Sequence, residues 1–184
     1  MSTASILYHI PPKLTKETDQ TLRLMIQHEH EMAKLYTVLA DKIEECEKFW
    51  RHVAVQEIRH MHLLEDLAEE VQLAKATVAD DPKRRRALRI SLQSLTPRIH
   101  LWGSHGVAKG EAFRYALVVE GGMIERCTFA LGMDDSSHAR QVLRTLTKET
   151  KGHVEEIRAA TRRHGSSFGF FWRCWDEFVV AFGH

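Results

Sequence analysis

The stretch VAVQEIRHMHLLEDL, residues Val53–Leu67, decides how the rest of the chain is read. Around it the apolar residues fall at Phe49, Trp50, Val53, Leu64, Leu67 and Val71. Spacings of three, four and seven put them on one face of an α-helix. Glu57 and His60 occupy the same row, where that periodicity asks for apolar side chains. Three residues apart on a helix, a carboxylate and an imidazole stand side by side. An ionised Glu on a core-facing stripe is costly unless something pairs with it. A metal ion taking one oxygen from Glu57 and one nitrogen from His60 is such a partner. Glu-x-x-His alone is a weak signal in a chain with 12 His, because a solvent-facing pair on a helix rim has the same pattern. What the other segments offer therefore decides.

The totals bound the answer. A length of 184 residues suits one domain, or one domain with an appendage, and can bury a core without disulfides. Only four Pro and ten Gly, beside abundant Glu, Lys, Arg, Leu and Ala, favour an all-α chain. A formal charge of +1 gives no reason to expect nucleic acid as a partner. The three cysteines, Cys46, Cys127 and Cys174, are widely spaced and form no Cys-x-x-Cys pair, which excludes a thioredoxin-like motif, a zinc ribbon or a rubredoxin-type iron site. No basic start leads into a long apolar run, and no stretch has the length and apolarity of a membrane span. The expected compartment is the cytoplasm.

Residues 1–14, with Pro11-Pro12, read as an extended arm. A helix is predicted from Thr15 or Thr18, with the row Leu22, Met25, Ile26, Met32, Ala33, Tyr36, Leu39, Ala40, Ile43. Glu29 fills one position of that row; His28, His30 and Glu31 are expected in solvent. A very short turn near residues 44–46 leads into the helix of Glu57 and His60, residues 47–73, so the two helices must run antiparallel. Glu29 and Glu57 lie about 16 and 12 residues from the middle of the turn, roughly 24 and 18 Å at the rise of a helix, and so within about one helical turn of the same height. Residues 74–109 break the pattern. There Asp81-Pro82 should cap a short helix, residues 82–95, that stops before Pro97. Lys83-Arg84-Arg85-Arg86 read as its solvated face, and Gly103, Gly106 and Gly110 as a loop.

A further helix is predicted over residues 111–131, with the row Phe113, Ala116, Leu117, Met123, Ile124, Cys127, Leu131 and with Glu120 inserted. Gly121-Gly122 in mid-helix costs stability relative to Ala, and predicts a close neighbour or a bulge beside Glu120. After the turn at 132–137 comes a last long helix, whose row Ala139, Val142, Leu143, Leu146, Ile157, Ala160 carries His153 in the polar slot and which ends near Arg162, Arg163 and Gly165. The tail holds Phe168, Phe170, Phe171, Trp172, Trp175, Phe178 and Phe182 and reads as an aromatic helix over residues 166–184, docked on the bundle or forming a homodimer contact.

The chain thus reads as two helical hairpins joined by a long crossover, each with a Glu on its first helix and a His on its second. Glu29 to His60 is 31 positions and Glu120 to His153 is 33, a weak internal repeat in the polar residues of apolar rows. Four helices with one long connection have the ferritin-like form.

On these residues the chain resembles the ferritin-like di-iron carboxylate superfamily, and within it the rubrerythrin group, over about residues 18–163. Glu29 with Tyr36 resembles that family's first-helix pattern, Glu57 with His60 its second, and Glu120 with Cys127 its third, with Cys where the family usually has Tyr. His153 matches the His of the fourth. Thr150 departs: it stands where the family carries its last Glu. Glu149, within about 40° of the same face, is a substitute, and Glu156, one turn on, a second. The resemblance implies metal ligands Glu29, Glu57, His60, Glu120, His153 and Glu149, two iron ions (or manganese or zinc), and Tyr36 as a catalytic side chain. It further implies oxygen or peroxide as substrate in ferroxidase- or peroxidase-type oxidoreductase chemistry. The chain carries no cysteine-rich electron-entry module, so an external electron donor is expected. Two further readings stand beside it: a non-enzymatic iron carrier, store or sensor with a reduced site, and a helical interaction module whose site has decayed.

Overall fold

The computed structural model describes residues 16–79, 81–125 and 136–164, with the side chains of 123–125 and 164 excluded. The extended arm at 1–14, Cys127 and Leu131 at the end of the third predicted helix, most of the 132–137 turn, and the aromatic tail with Cys174 lie outside these residues. Within them the fold is all-α. Five helices, α1 (Lys16–Lys42), α2 (Glu47–Gln72), α3 (Pro82–His105), α4 (Lys109–Glu125) and α5 (Ser137–His164), are joined by a 3₁₀ turn at Glu44–Cys46 and by loops, with no strand among the described residues. No helix of the described residues is long and apolar enough to cross a membrane.

The turn between α1 and α2 is as tight as its sequence predicts: the Cys46 amide donates to the Ile43 carbonyl at 2.9 Å, and α2 starts at the next residue. The connection after α2 is closed by Ala74 at φ 56°, a left-handed conformation that is unusual for a residue other than Gly. Asp81 then caps α3 as expected, its carboxylate accepting from the amides of Lys83 and Arg84, with Pro82 at the first helical position.

The structure corrects the sequence reading from here on. α3 does not stop before Pro97 but continues through it to His105, and Gly106 at φ 75° ends it. A proline inside a helix removes one amide donor and crowds the preceding turn, at a cost of about 3 kcal/mol. Leu95 and Trp102, on either side of Pro97, are both buried in the core, and burying two such side chains is worth about 1.5–3 kcal/mol each, enough to offset the break. The glycine-rich loop shrinks to residues 106–108, since Gly103 lies in α3 and Gly110 in α4. Arg84, expected in solvent, is buried at 1 % exposure, while Lys83 and Arg86 remain exposed. It lies one turn before buried Leu88 on the core side of α3, and its stem packs there. At Gly121 and Gly122 the helix runs on without a bulge, and an added Cβ meets nothing within 4 Å among the described residues, so no close neighbour explains them.

The core forms two apolar clusters. One gathers Met32, Leu39 and Ala40 of α1 with Trp50 and Val53 of α2, Leu95 and Trp102 of α3, Phe113 and Ala116 of α4 and Ile157 of α5. The other gathers Leu22 and Met25 of α1 with Leu64 and Leu67 of α2, Leu88 of α3 and Ala139, Leu143 and Leu146 of α5. These memberships fix the directions of α1, α2, α3 and α5, while α4 starts in the first cluster and leaves it after Val119. Relative to α1, α2 runs down, α3 up, α4 down and α5 up. α2 and α4 are therefore parallel, and α3 is the long return that carries the chain back between them. Because α3 lies along α1, α1 is covered on two sides. His28 and Glu31, expected in solvent, are accordingly buried, whereas His30 is exposed as expected.

Candidate metal centre

Between the two clusters lies a layer of polar side chains. α1 contributes Glu29, α2 Glu57 and His60, α4 Glu120, and α5 Thr150 and His153; His60 is 0 % exposed and the others 2–3 %. Each replaces an apolar residue at the midpoint of its helix row, so the helical periodicity that builds the clusters also brings these groups to a common depth. Leaving charged groups at such a depth is tolerable only when each is paired.

Glu57 sits at the centre. Its Oε2 lies 3.1 Å from His60 Nδ1, and its Oε1 lies 2.9 Å from His153 Nδ1. Glu29 approaches the same His60 nitrogen at 3.4 Å, and Glu120 approaches the same His153 nitrogen at 3.6 Å. The two imidazoles stack, with centroids 5.2 Å apart and planes within 22°. The layer thus divides into two half-sites, Glu29 with His60 and Glu120 with His153, sharing Glu57 between them. Glu57, His60 and His153 offer donor atoms that all lie within 4.8 Å of one another, a buried group able to bind a metal.

The protons reveal what the layer requires. Burial opposes the charged form of His60, but the carboxylates of Glu29 and Glu57 outweigh it and raise its pKa to about 11. Burial likewise opposes the charge on His153, and Glu120 with Glu57 overcome it, raising the pKa to about 10. Glu57 is pushed up to about 7 by burial first and by the charge of Glu120 next, against the opposing pull of the neighbouring His153 and His60 imidazoles. For Glu29, burial is outweighed by His28 and His60, which hold its carboxyl well below the usual range. Without a metal, protons on the two imidazoles therefore offset most, though not all, of the charge of the three carboxylates. A dication supplies the same charge while releasing those protons, because ligating imidazole is neutral.

Unmet donors and acceptors mark where an ion fits. Among the described residues, neither nitrogen of His153 has a hydrogen-bond partner of acceptable geometry, although Nδ1 is close to Glu57, and Glu57 Oε1 is equally unsatisfied. Buried polar atoms without partners are rare and call for an explanation. A cation between Glu57 and His153 satisfies both. The donor set, rich in carboxylate oxygen with some imidazole, suits iron, manganese or zinc without singling out one of them.

The remaining sequence candidates take distinct places. Tyr36 reaches the layer from α1, and its hydroxyl donates to Glu120 Oε1 at 2.6 Å. Burial and the nearby carboxylates, Glu120 first among them, hold its pKa well above the usual value, so it stays a proton donor. Its ring stacks on Trp50, 5.5 Å between centroids. Glu149 meets His60 at Nε2, 2.8 Å away, on the opposite edge of the ring from Glu29 and Glu57. It is also paired with Arg59. Burial notwithstanding, Arg59 and His60 lower its pKa. Glu156 faces away, exposed, at 3.9 Å from His52 on the surface, and so does not fill the place of Thr150.

Two side chains were missed by sequence reasoning. His28 is buried beside Glu29, its Nδ1 3.6 Å from Glu29 Oε1 and its Nε2 2.9 Å from Ser91 Oγ on α3. The signal was present: Thr21, His28 and Leu35 recur every seven residues on a second buried row of α1. The other is Arg59, whose role depends on α5 passing beside α2, which no local pattern encodes. Comparison with protein-family models, with curated proteins and with solved structures finds no match to this chain, so the reading of the site rests on its own geometry.

Proposed function

We propose that this chain is a ferritin-like di-iron carboxylate protein of rubrerythrin type, reacting with oxygen or peroxide as an oxidoreductase and reduced by an external donor. The single observation that carries the reading is the arrangement of two Glu/His half-sites around one shared carboxylate, Glu57, sealed between apolar clusters. The order up, down, down, up of α1, α2, α4 and α5, with a long return between the middle two, supports the ferritin-like form.

In this reading Glu29 and His60 would hold one metal ion, Glu120 and His153 would hold another, and Glu57, which lies beside both imidazoles, would serve either. When bound, the metal pair supplies redox chemistry, one electron from each ion to oxygen or peroxide. The chain does the rest. The apolar clusters exclude bulk water from the layer. The Tyr36 hydroxyl fixes the orientation of the Glu120 carboxylate, and the His28 ring lies 3.6 Å from the Glu29 carboxylate on the α3 side. Glu149 holds the outer nitrogen of His60, so that Nδ1 is the nitrogen presented to the ion, the usual arrangement for a ligating imidazole.

Anaerobic loading with iron(II) followed by exposure to air tests the proposal. Rapid colour formation with oxygen uptake, faster than for iron(II) free in the same buffer, is expected. Tight iron binding with no acceleration would instead support a carrier, store or sensor. That second reading has its own observation, buried Thr150 in place of a fourth-helix carboxylate, which leaves the ligand set one member short.

A further inference from the structure

A metal ion has to reach a layer whose carboxylates and imidazoles are all but sealed. Side-chain exposure is 0–4 % for Glu29, Glu57, His60, Glu120 and His153. The apolar clusters close the layer above and below, and α3 closes the far side of α1. Glu149 differs. It touches His60 at 2.8 Å, yet its side chain is 25 % exposed, and its partner Arg59 is 56 % exposed. Among the described residues, it is the one acidic side chain that touches both solvent and this layer.

From this we infer that Glu149 and Arg59 form the entry gate for the metal ion proposed above, with Glu149 as the first carboxylate an incoming cation meets and Arg59 as the cation that must give way. The inference rests on the metal-binding reading of the layer. An ion pair on the surface is weak, so the exchange of Arg59 for a dication is not costly. The guanidinium nevertheless places a positive charge on the approach, and like charge slows the arrival of a cation. Once Glu149 has received the ion, the layer's greater negative charge draws it inward past the edge of His60. Glu149 then returns to His60 Nε2 and Arg59. In this role Glu149 controls the rate of loading and Arg59 restrains it, while neither supplies a ligand to the bound ion.

Anaerobic stopped-flow mixing of the full chain with cobalt(II), followed by the visible absorbance of bound cobalt, provides the test. At saturating cobalt, Arg59→Gln is expected to load several-fold to roughly tenfold faster than wild type, and Glu149→Gln roughly tenfold more slowly, both reaching the wild-type endpoint, because the Gln amide oxygen still accepts from His60 Nε2. Arg51→Gln serves as the charge control, because Arg51 is a similarly exposed cation of α2 whose partners, Glu47 and Asp41, lie away from the layer. Its rate should match wild type. Unchanged rates in both gate variants overturn the inference, as does equal acceleration in Arg51→Gln, which would reduce the effect to net charge. A lowered endpoint in Glu149→Gln also overturns it, by making Glu149 a ligand. If wild type takes up no cobalt, the metal reading fails and this inference with it; full uptake with unaltered rates sinks the gate alone.

Discussion

Glu29 with His60 and Glu120 with His153 are the same pair of side chains, delivered by two hairpins to the two flanks of Glu57, yet they are finished differently. In the first half-site Glu149 holds the far nitrogen of His60, and His28 stands beside Glu29 at 3.6 Å, beyond hydrogen-bond distance. In the second, Tyr36 secures Glu120, but the far nitrogen of His153 has no partner among the described residues and Thr150 stands where a carboxylate would complete the set. The difference teaches that ligand identity alone does not set a half-site's strength. A ligand whose orientation is fixed beforehand loses less freedom on binding, and outer partners of ligating imidazoles are worth about 10–100-fold in metal affinity. The first half-site should therefore fill first and more tightly.

The largest effect should come from removing what the halves share. Glu57→Ala is expected to weaken binding at both positions by more than about 100-fold, as read by anaerobic calorimetry with iron(II) or manganese(II). Retention of one undiminished tight site would show that Glu57 is not common to both. Next comes the contrast between the imidazoles. His60→Gln should abolish the tight binding step, whereas His153→Gln should spare it and remove the weaker step. The reverse order would invert the ranking of the halves. Smaller again is Tyr36→Phe, which leaves Glu120 without its buried donor. It should destabilise the metal-free fold by about 1.5–3 kcal/mol in urea unfolding and weaken the second step only. Loss of the first step in this variant would mean the halves are not separable.

The smallest effect concerns pH and treats the halves alike. His60 and His153, raised to about 11 and about 10 from 6.5, contribute stability that is fully present below pH 6.5 and is lost as pH rises toward those values. Glu57, raised to about 7 from 4.5, has the same sign: its contribution is present below pH 4.5 and lost as pH rises through 7. Glu29, depressed, acts oppositely, stabilising above its ordinary value and losing that contribution only in strong acid. The metal-free protein should accordingly melt several degrees lower at pH 9 than at pH 6, by circular dichroism, while the metal-loaded protein should not, because its imidazoles are already deprotonated. A melting temperature that rises with pH without metal would contradict the proton balance described for the layer.

Much of this layer was legible in the sequence, for a physical reason. Glu29, Glu57, His60, Glu120 and His153 are polar interruptions of apolar rows, and a helix converts such an interruption directly into burial. The tight turn at Glu44–Cys46 then fixes the relative height of Glu29 and Glu57. What escaped depends on contacts between helices that are distant in sequence. The length of α3 could not be read past Pro97, because local propensity argues for a break and only the burial of Leu95 and Trp102 argues against it. From that one error the others follow. With α3 too short, nothing covered the second face of α1, and His28 and Glu31 were expected in water. Arg84 was judged by its basic neighbours rather than by its place one turn before Leu88. Glu149 was correctly drawn to the layer by its angle on α5, but the angle could not say which edge of His60 it would meet.

The central claim is that the buried layer exists to hold a cation. Elemental analysis of the anaerobically purified chain, expressed as metal per folded chain, tests it most directly. The account predicts stoichiometric metal, about one to two ions per chain, lost together in Glu57→Ala. A chain that is fully helical by circular dichroism, carries no metal and takes up none when offered iron(II), manganese(II) or zinc anaerobically would contradict it.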